Sequence, residues 1–242
     1  MQKQFMTIKE VRKLQKDIFL MVLSGDCKDI DRPGRFVNIK IEGLYLRRPI
    51  SICDFNNDEI TIIFKTVGEG TKQLSEMKPG EVLDVLIPLG NGFDISANCK
   101  KPVVIGGGIG VPPLLNLCKQ LLAAGRKPAV ILGFNTSEDA VLIDEFKALG
   151  VEPVITTADG SMGTKGFVTG PLADMDFDYV FTCGPEPMLK AIWDMAEDGQ
   201  FSFEARMACG FGACMGCTCE TKYGYKRICK DGPIMYKEEI IW

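Results

Sequence analysis

The chain has 242 residues, 46% of them hydrophobic, with 28 Lys and Arg against 32 Asp and Glu for a formal charge of -4. That is enough apolar material for two modest cores, and the mixed charge, lacking any basic block, excludes a nucleic-acid-binding surface. Histidine is absent, which excludes imidazole acid–base catalysis, a Rieske centre and every zinc pattern that uses His.

From Lys16 to Pro88 the apolar runs are short and rich in Ile and Val: Ile18–Leu23, Phe36–Ile41, Ile60–Phe64 and Val82–Ile87. Turn chemistry at Pro33-Gly34, Asn56-Asn57-Asp58 and Pro79-Gly80 separates them. About six closely spaced strands predict a small antiparallel barrel, interrupted by a short helix near Thr71 to Met77. From Lys101 the texture alternates. Strands are predicted at Val103–Ile105, Ala129–Phe134, Pro153–Thr157 and Tyr179–Phe181, and helices at Pro113–Ala124, Glu138–Leu149 and Glu186–Glu197. This alternation gives a parallel α/β sheet, so the fold class is β plus α/β. The last 40 or so residues are too few for much core of their own, and their folding is expected to depend on a metal site. The expected domains are 1–98, 99–200 and 201–242.

Arg48 and Ser51 stand three apart in the extended segment Arg47-Arg48-Pro49-Ile50-Ser51. An arginine fork suits a pyrophosphate and a serine suits a flavin ring nitrogen, although an Arg beside a Pro is also an ordinary solvated strand end. Gly68-Glu69-Gly70-Thr71 opens the short helix, whose first amides would suit the same phosphates. Gly106-Gly107-Gly108-Ile109-Gly110 directly follows the first α/β strand and precedes a helix that opens on Pro112-Pro113. Glycines there permit close approach of a dinucleotide pyrophosphate to the helix N-terminus; the alternative is a tight turn with no ligand. Cys183-Gly184-Pro185 ends a later strand and should face the same crevice, Cys183 being either near the reactive end of a nucleotide or a buried thiol.

Four cysteines near the C-terminus, Cys209, Cys214, Cys217 and Cys229, follow the spacing C-x4-C-x2-C-x11-C. The first three match a plant-type [2Fe–2S] loop, and Gly210-Phe211-Gly212-Ala213 is small enough for backbone N–H groups to reach the sulfurs. An all-cysteine zinc site is the alternative, since Cys219 supplies a spare thiolate. Disulfides are a third reading. They are disfavoured because the chain has no signal-peptide pattern and no long apolar run, so a soluble cytoplasmic protein with reduced thiols is expected. Cys27, Cys53, Cys99, Cys118 and Cys183 have no ligand spacing. A nicotinamide exchanges electrons in pairs and a [2Fe–2S] cluster singly, so a chain with both sites calls for a flavin between them. No catalytic acid–base constellation is present, and the oxidised substrate is expected to be handled by another subunit.

These segments in this order resemble the ferredoxin–NADP reductase superfamily. With the C-terminal cysteines they resemble one branch of it, the electron-transfer subunits of type B dihydroorotate dehydrogenase, over essentially the whole chain. The resemblance implies that Arg48, Pro49, Ile50 and Ser51, then Ile63, Phe64 and Lys65, then Gly70 and Thr71 bind FAD. It implies that Gly107, Gly108 and Gly110, with Cys183, Gly184 and Pro185 of the C-G-P-x-x-M motif ending at Met188, form the NAD half. Met207 to Cys217 together with Cys229-Lys230-Asp231-Gly232-Pro233 are its most specific part, and make Cys209, Cys214, Cys217 and Cys229 the cluster ligands, leaving Cys219 free. It further implies a partner subunit containing FMN, which oxidises dihydroorotate in pyrimidine synthesis, in a heterotetramer of two copies of each chain. Electrons would run from FMN through the cluster and FAD to NAD. NAD is favoured over NADP because Asn135-Thr136-Ser137-Glu138-Asp139 is acidic and lacks an Arg. The alternative is the small flavin and [2Fe–2S] subunit of an NADH-dependent ferredoxin:NADP oxidoreductase or hydrogenase complex.

Overall fold

A computed structural model describes residues 1–242. Six strands close into an antiparallel barrel in the order β1-β2-β5-β4-β3-β6: β1 (Gln2–Gln15), β2 (Ile18–Ser24), β3 (Phe36–Ile39), β4 (Arg48–Phe55), β5 (Glu59–Lys65) and β6 (Val82–Leu89). Closure leaves no unpaired edge, which is how so small a β-unit keeps its ladder groups satisfied. Its interior is filled by alternating residues, among them Met21, Val37, Ile39, Ile50, Ile62 and Val85. Helix α1 (Glu69–Glu76) covers one end and buries Leu74.

The second unit is a seven-stranded sheet in the order β10-β9-β8-β7-β11-β12-β15. Its strands are β7 (Pro102–Gly107), β8 (Ala129–Phe134), β9 (Val154–Thr157), β10 (Thr164–Lys165), β11 (Tyr179–Cys183), β12 (Gly199–Ser202) and β15 (Ile234–Tyr236). All pair in parallel except β15, which returns antiparallel to β12. Helices α2 (Pro112–Ala123), α3 (Ile143–Ala148), α4 (Thr169–Ala173) and α5 (Glu186–Met195) connect them. On one face Leu114, Leu117 and Phe181 share a core with Ile18, Cys53 and Ile63 of the barrel. On the other, Val180, Leu189 and Phe201 share one with Cys217, Ile228, Cys229 and Met235. No helix is long and apolar enough to cross a membrane.

Three features depart from the sequence expectations. The 14-residue strand β1 lies ahead of the predicted barrel start, because its alternation is interrupted by charged residues and only Met6 and Ile8 are fully buried. The helix expected over Glu138–Leu149 begins only at Ile143: Ala140, Val141 and Leu142 turn into the core, and Leu142 adopts φ 64, which interrupts a helical path. The C-terminal residues, beyond the hairpin β13 (Thr218–Thr221) and β14 (Gly224–Arg227), complete the main sheet through β15, so they borrow its core.

Candidate functional site

The cluster segment is built on the β13–β14 hairpin. Thr218 pairs with Arg227 at its base, which brings Cys217 and Cys229 together from positions twelve apart: the Cys229 N–H donates to the Cys217 sulfur at 3.4 Å. Both thiols are buried. Burial, then the neighbouring Cys217, push the Cys229 thiol up to about 12. Cys209 and Cys214 form a second, more open pair. The Ala213 and Cys214 N–H groups donate to the Cys209 sulfur at 3.3 and 3.5 Å, and the Gly216 N–H to the Cys214 sulfur at 3.4 Å. Burial raises the Cys209 thiol, but the amides of Cys214, Phe211 and Ala213 outweigh it and bring it down to about 6. Cys219 lies one rung up the hairpin opposite Lys226 and belongs to neither pair.

No three His, Cys, Asp or Glu side chains converge as ligands of a single metal ion. Two thiol pairs lined with backbone donors are what a two-iron cluster requires, one pair for each iron. Arg227 joins the two halves. Its Nη1 donates to the Gly212 carbonyl at 2.9 Å, while Nε and Nη2 hold both carboxylate oxygens of Asp231 at 2.9 and 3.1 Å. Sequence reasoning passed over this arginine because its partners are a backbone oxygen and a residue beyond Cys229.

On the barrel, Arg48 lies across the start of α1. A Cβ at Gly70 would fall 2.4 Å from Arg48 Nε, so glycine there makes room for the guanidinium. Thr71 accepts from the Val67 N–H at 2.9 Å and closes the turn before the helix. Alternation along β4 puts Arg48 and the buried Ile50 on one face and Pro49 and Ser51 on the other. Ile63 and Phe64 bury their side chains in the cores, leaving backbone for a ligand, whereas Lys65 reaches into the crevice next door.

That crevice is a cavity of about 610 Å³ beyond the C-terminal ends of β7, β8, β9 and β11. Gly107, Gly108, Gly110, Gly184 and Pro185 line it. Gly110 packs directly on the next turn: a Cβ would fall 2.5 Å from the Cys183 carbonyl oxygen. Cys183 itself does not line the cavity; burial pushes its thiol up to about 12. Lining residues with no motif to reveal them include Ile18, Phe167 and Glu204. Glu204 is solvent-exposed along part of its surface, yet burial raises its carboxyl. At the rim Lys65 bridges Asp139 at 3.0 Å and Asp17 at 3.3 Å.

A closed barrel, a parallel sheet with a glycine-lined crevice and a loop of paired thiols define a ferredoxin-reductase-type flavoprotein that carries an iron–sulfur segment. Residues 204–241 match the family model described as the iron–sulfur cluster binding domain of dihydroorotate dehydrogenase B. The chain is 44% identical to the dihydroorotate dehydrogenase B (NAD(+)) electron transfer subunit of Fusobacterium nucleatum, covering 97% of this chain and 96% of that one. With the protein of the same description from a Geobacillus species it shares 42% identity, over 100% and 99% of the two chains. The chain therefore belongs to the family of dihydroorotate dehydrogenase B electron transfer subunits. Among solved structures, one reporting on an NADH-dependent reduced ferredoxin-NADP oxidoreductase superposes with TM-score 0.88 at 29% identity, covering 98% of this chain and 90% of the other. Phthalate dioxygenase reductase, at 21% identity and TM-score 0.67 over 80% of this chain and 64% of its own, shares the fold.

Proposed function

We propose that this chain carries electrons from a dihydroorotate-oxidising partner subunit to NAD, by way of a [2Fe–2S] cluster and FAD, in pyrimidine synthesis. The observation that carries the reading is the pair of thiol pairs, set against the same barrel that borders the dinucleotide crevice. The partner contains FMN, and two copies of each chain assemble in the cytoplasm.

When bound, FAD and the cluster supply the exchange between a hydride and single electrons. The chain's own residues hold and shield them. Cys209 and Cys214 would hold one iron, Cys217 and Cys229 the other. Exposed Cys214, Phe211 and Met215 form the edge that faces the partner. Arg48 and the first amides of α1 would hold the flavin pyrophosphate, Pro49 and Ser51 the ring, with Ile50 contributing backbone while its side chain fills the barrel, and the backbone of Ile63 and Phe64 would border the molecule with Lys65, Gly70 and Thr71. Gly107, Gly108, Gly110, Gly184 and Pro185 allow NAD to lie against backbone, and Cys183 shapes that turn from beneath.

Co-purification with the partner, followed by flavin and iron analysis, tests the proposal. FMN in the partner and NAD reduction that depends on dihydroorotate are expected. A partner carrying [4Fe–4S] clusters, with no such activity, would replace it with the ferredoxin:NADP oxidoreductase reading.

A further inference from the structure

Asn38 belongs to barrel strand β3 but serves the cluster loop. It is 1% exposed, and its Nδ2 donates to the carbonyl of Cys209 at 3.1 Å. This is the only hydrogen bond from the barrel to the loop between Cys209 and Cys217. Val37 and Ile39 point into the barrel, so Phe36 and Asn38 face outward. Their cross-strand partners are Ser51 and Pro49. Asn38 thus shares a sheet face with two residues assigned above to the flavin.

The loop meets Asn38 with Gly210, at φ +77, where a Cβ would fall 2.3 Å from Asn38 Nδ2. Glycine is needed there both for the left-handed backbone and for the approach. The other amide atom, Oδ1, is buried without a partner. A leucine of similar size would pack at this position without desolvating an amide, so packing alone does not account for asparagine. What the amide adds is a single directed bond to a residue that carries a cluster thiolate.

We infer that Asn38 is a positioning residue for electron transfer: it fixes the Cys209 end of the cluster loop against the flavin-binding strand pair and so sets the separation of cluster and flavin. The inference rests on the flavin and cluster assignments proposed above. Transfer between two held centres weakens steadily as their separation grows, so a loop that shifts away from the strand slows it.

Two variants test it. Asn38→Leu keeps a similar size but offers the Cys209 carbonyl no donor; Asn38→Ala removes the donor and the volume together. Each is prepared in the purified complex with its flavins and iron. Both are expected to keep iron and flavin content and the wild-type rate of flavin reduction by NADH. Electron passage between flavin and cluster should slow severalfold. Pulsed EPR should record weaker magnetic coupling between the one-electron-reduced flavin and the reduced cluster. Unchanged coupling and transfer in both variants overturn the inference. So does loss of iron from both, which would make the contact structural alone. A wild-type protein without flavin or iron would instead bring down the underlying assignment, before any variant is compared.

Discussion

The barrel borders the rest of the molecule in two contrasting ways. Against the cluster segment it presents uncharged amides and glycines. Asn38 holds Cys209, and Asn91 holds the turn after Cys229, with Nδ2 donating to the carbonyls of Asp231 and Ile234 at 3.2 and 2.8 Å and Oδ1 accepting from Ile234 N–H at 3.0 Å. Gly90 packs so closely on Pro233 that a Cβ would fall 2.6 Å from its Cδ. Around the nucleotide cavity, by contrast, the barrel's polar contact at the rim is a part-exposed ion pair, Lys65 with Asp139. Directed bonds among buried groups define one geometry, whereas ion pairs in contact with water tolerate several. The difference suits the two tasks: a cluster must keep its distance from the flavin, and a dinucleotide must enter and leave.

The sharpest way to break this contrast is at the thiols themselves. Cys229→Ser is expected to abolish cluster binding, with loss of iron and of the visible iron–sulfur spectrum, while Cys219→Ser keeps both. Iron retained by the Cys229 variant would exclude that residue as a ligand. Next in size is Gly90→Ala. Gly90 has φ +77, so alanine adds left-handed backbone strain to a collision with Pro233 and the Gly232 carbonyl. The expected loss is about 2–5 kcal/mol of stability, read by denaturant unfolding. A loss below about 1 kcal/mol would mean that the junction yields more readily than its contacts indicate.

At the cavity the corresponding change is Gly110→Ala, whose new methyl meets the backbone of Cys183 and Gly184. The two loops that form the cavity floor must part, and NADH affinity is expected to fall by about tenfold, equivalent to about 1.4 kcal/mol, in titrations of the flavin-loaded protein. Iron content should not change. Wild-type affinity would show that the crevice accommodates the methyl without losing its ligand.

Much of this was legible in the chain because the residues concerned obey local rules. Short Ile- and Val-rich runs with turn residues announced the barrel, and glycines at the end of β7 announced the crevice, since both depend on neighbours in sequence. The cysteine spacing was legible for the same reason: a short hairpin accounts for the eleven residues before Cys229. What escaped was set by distant partners. Asn38 is 171 residues from Cys209, and an isolated Asn between Val37 and Ile39 reads as the solvent-facing member of an alternating strand. Strand β15 is a three-residue run whose place in the main sheet depends on β12. Arg227, Asn91 and Glu204 act through backbone oxygens or cavity walls, which leave no pattern in the sequence.

The smallest expected effect tests the soft side of the contrast. Burial raises Asp139, but the bond and charge of Lys65 outweigh it and hold the carboxyl below its ordinary 3.8. Its contribution to stability is therefore present above that value and is lost as pH falls through the folded one. Lys65 is raised above 10.5, by its hydrogen bond to Asp139 first and against burial, so its contribution is present below that value and lost as pH rises through the folded one. Across neutral pH the bridge is complete, yet with the two side chains 33% and 21% exposed, water screens much of it. Asp139→Asn is expected to cost about 0.5–1 kcal/mol at neutral pH, or about 1–4 °C in Tm, with the difference from wild type shrinking as both proteins are acidified below the ordinary carboxylate range. The iron–sulfur spectrum should be unaffected. A deficit that persists unchanged into acid would mean that Asp139 acts through packing; a loss of several kcal/mol would make the cavity rim as firm as the cluster junction, and the contrast between the two borders would not hold.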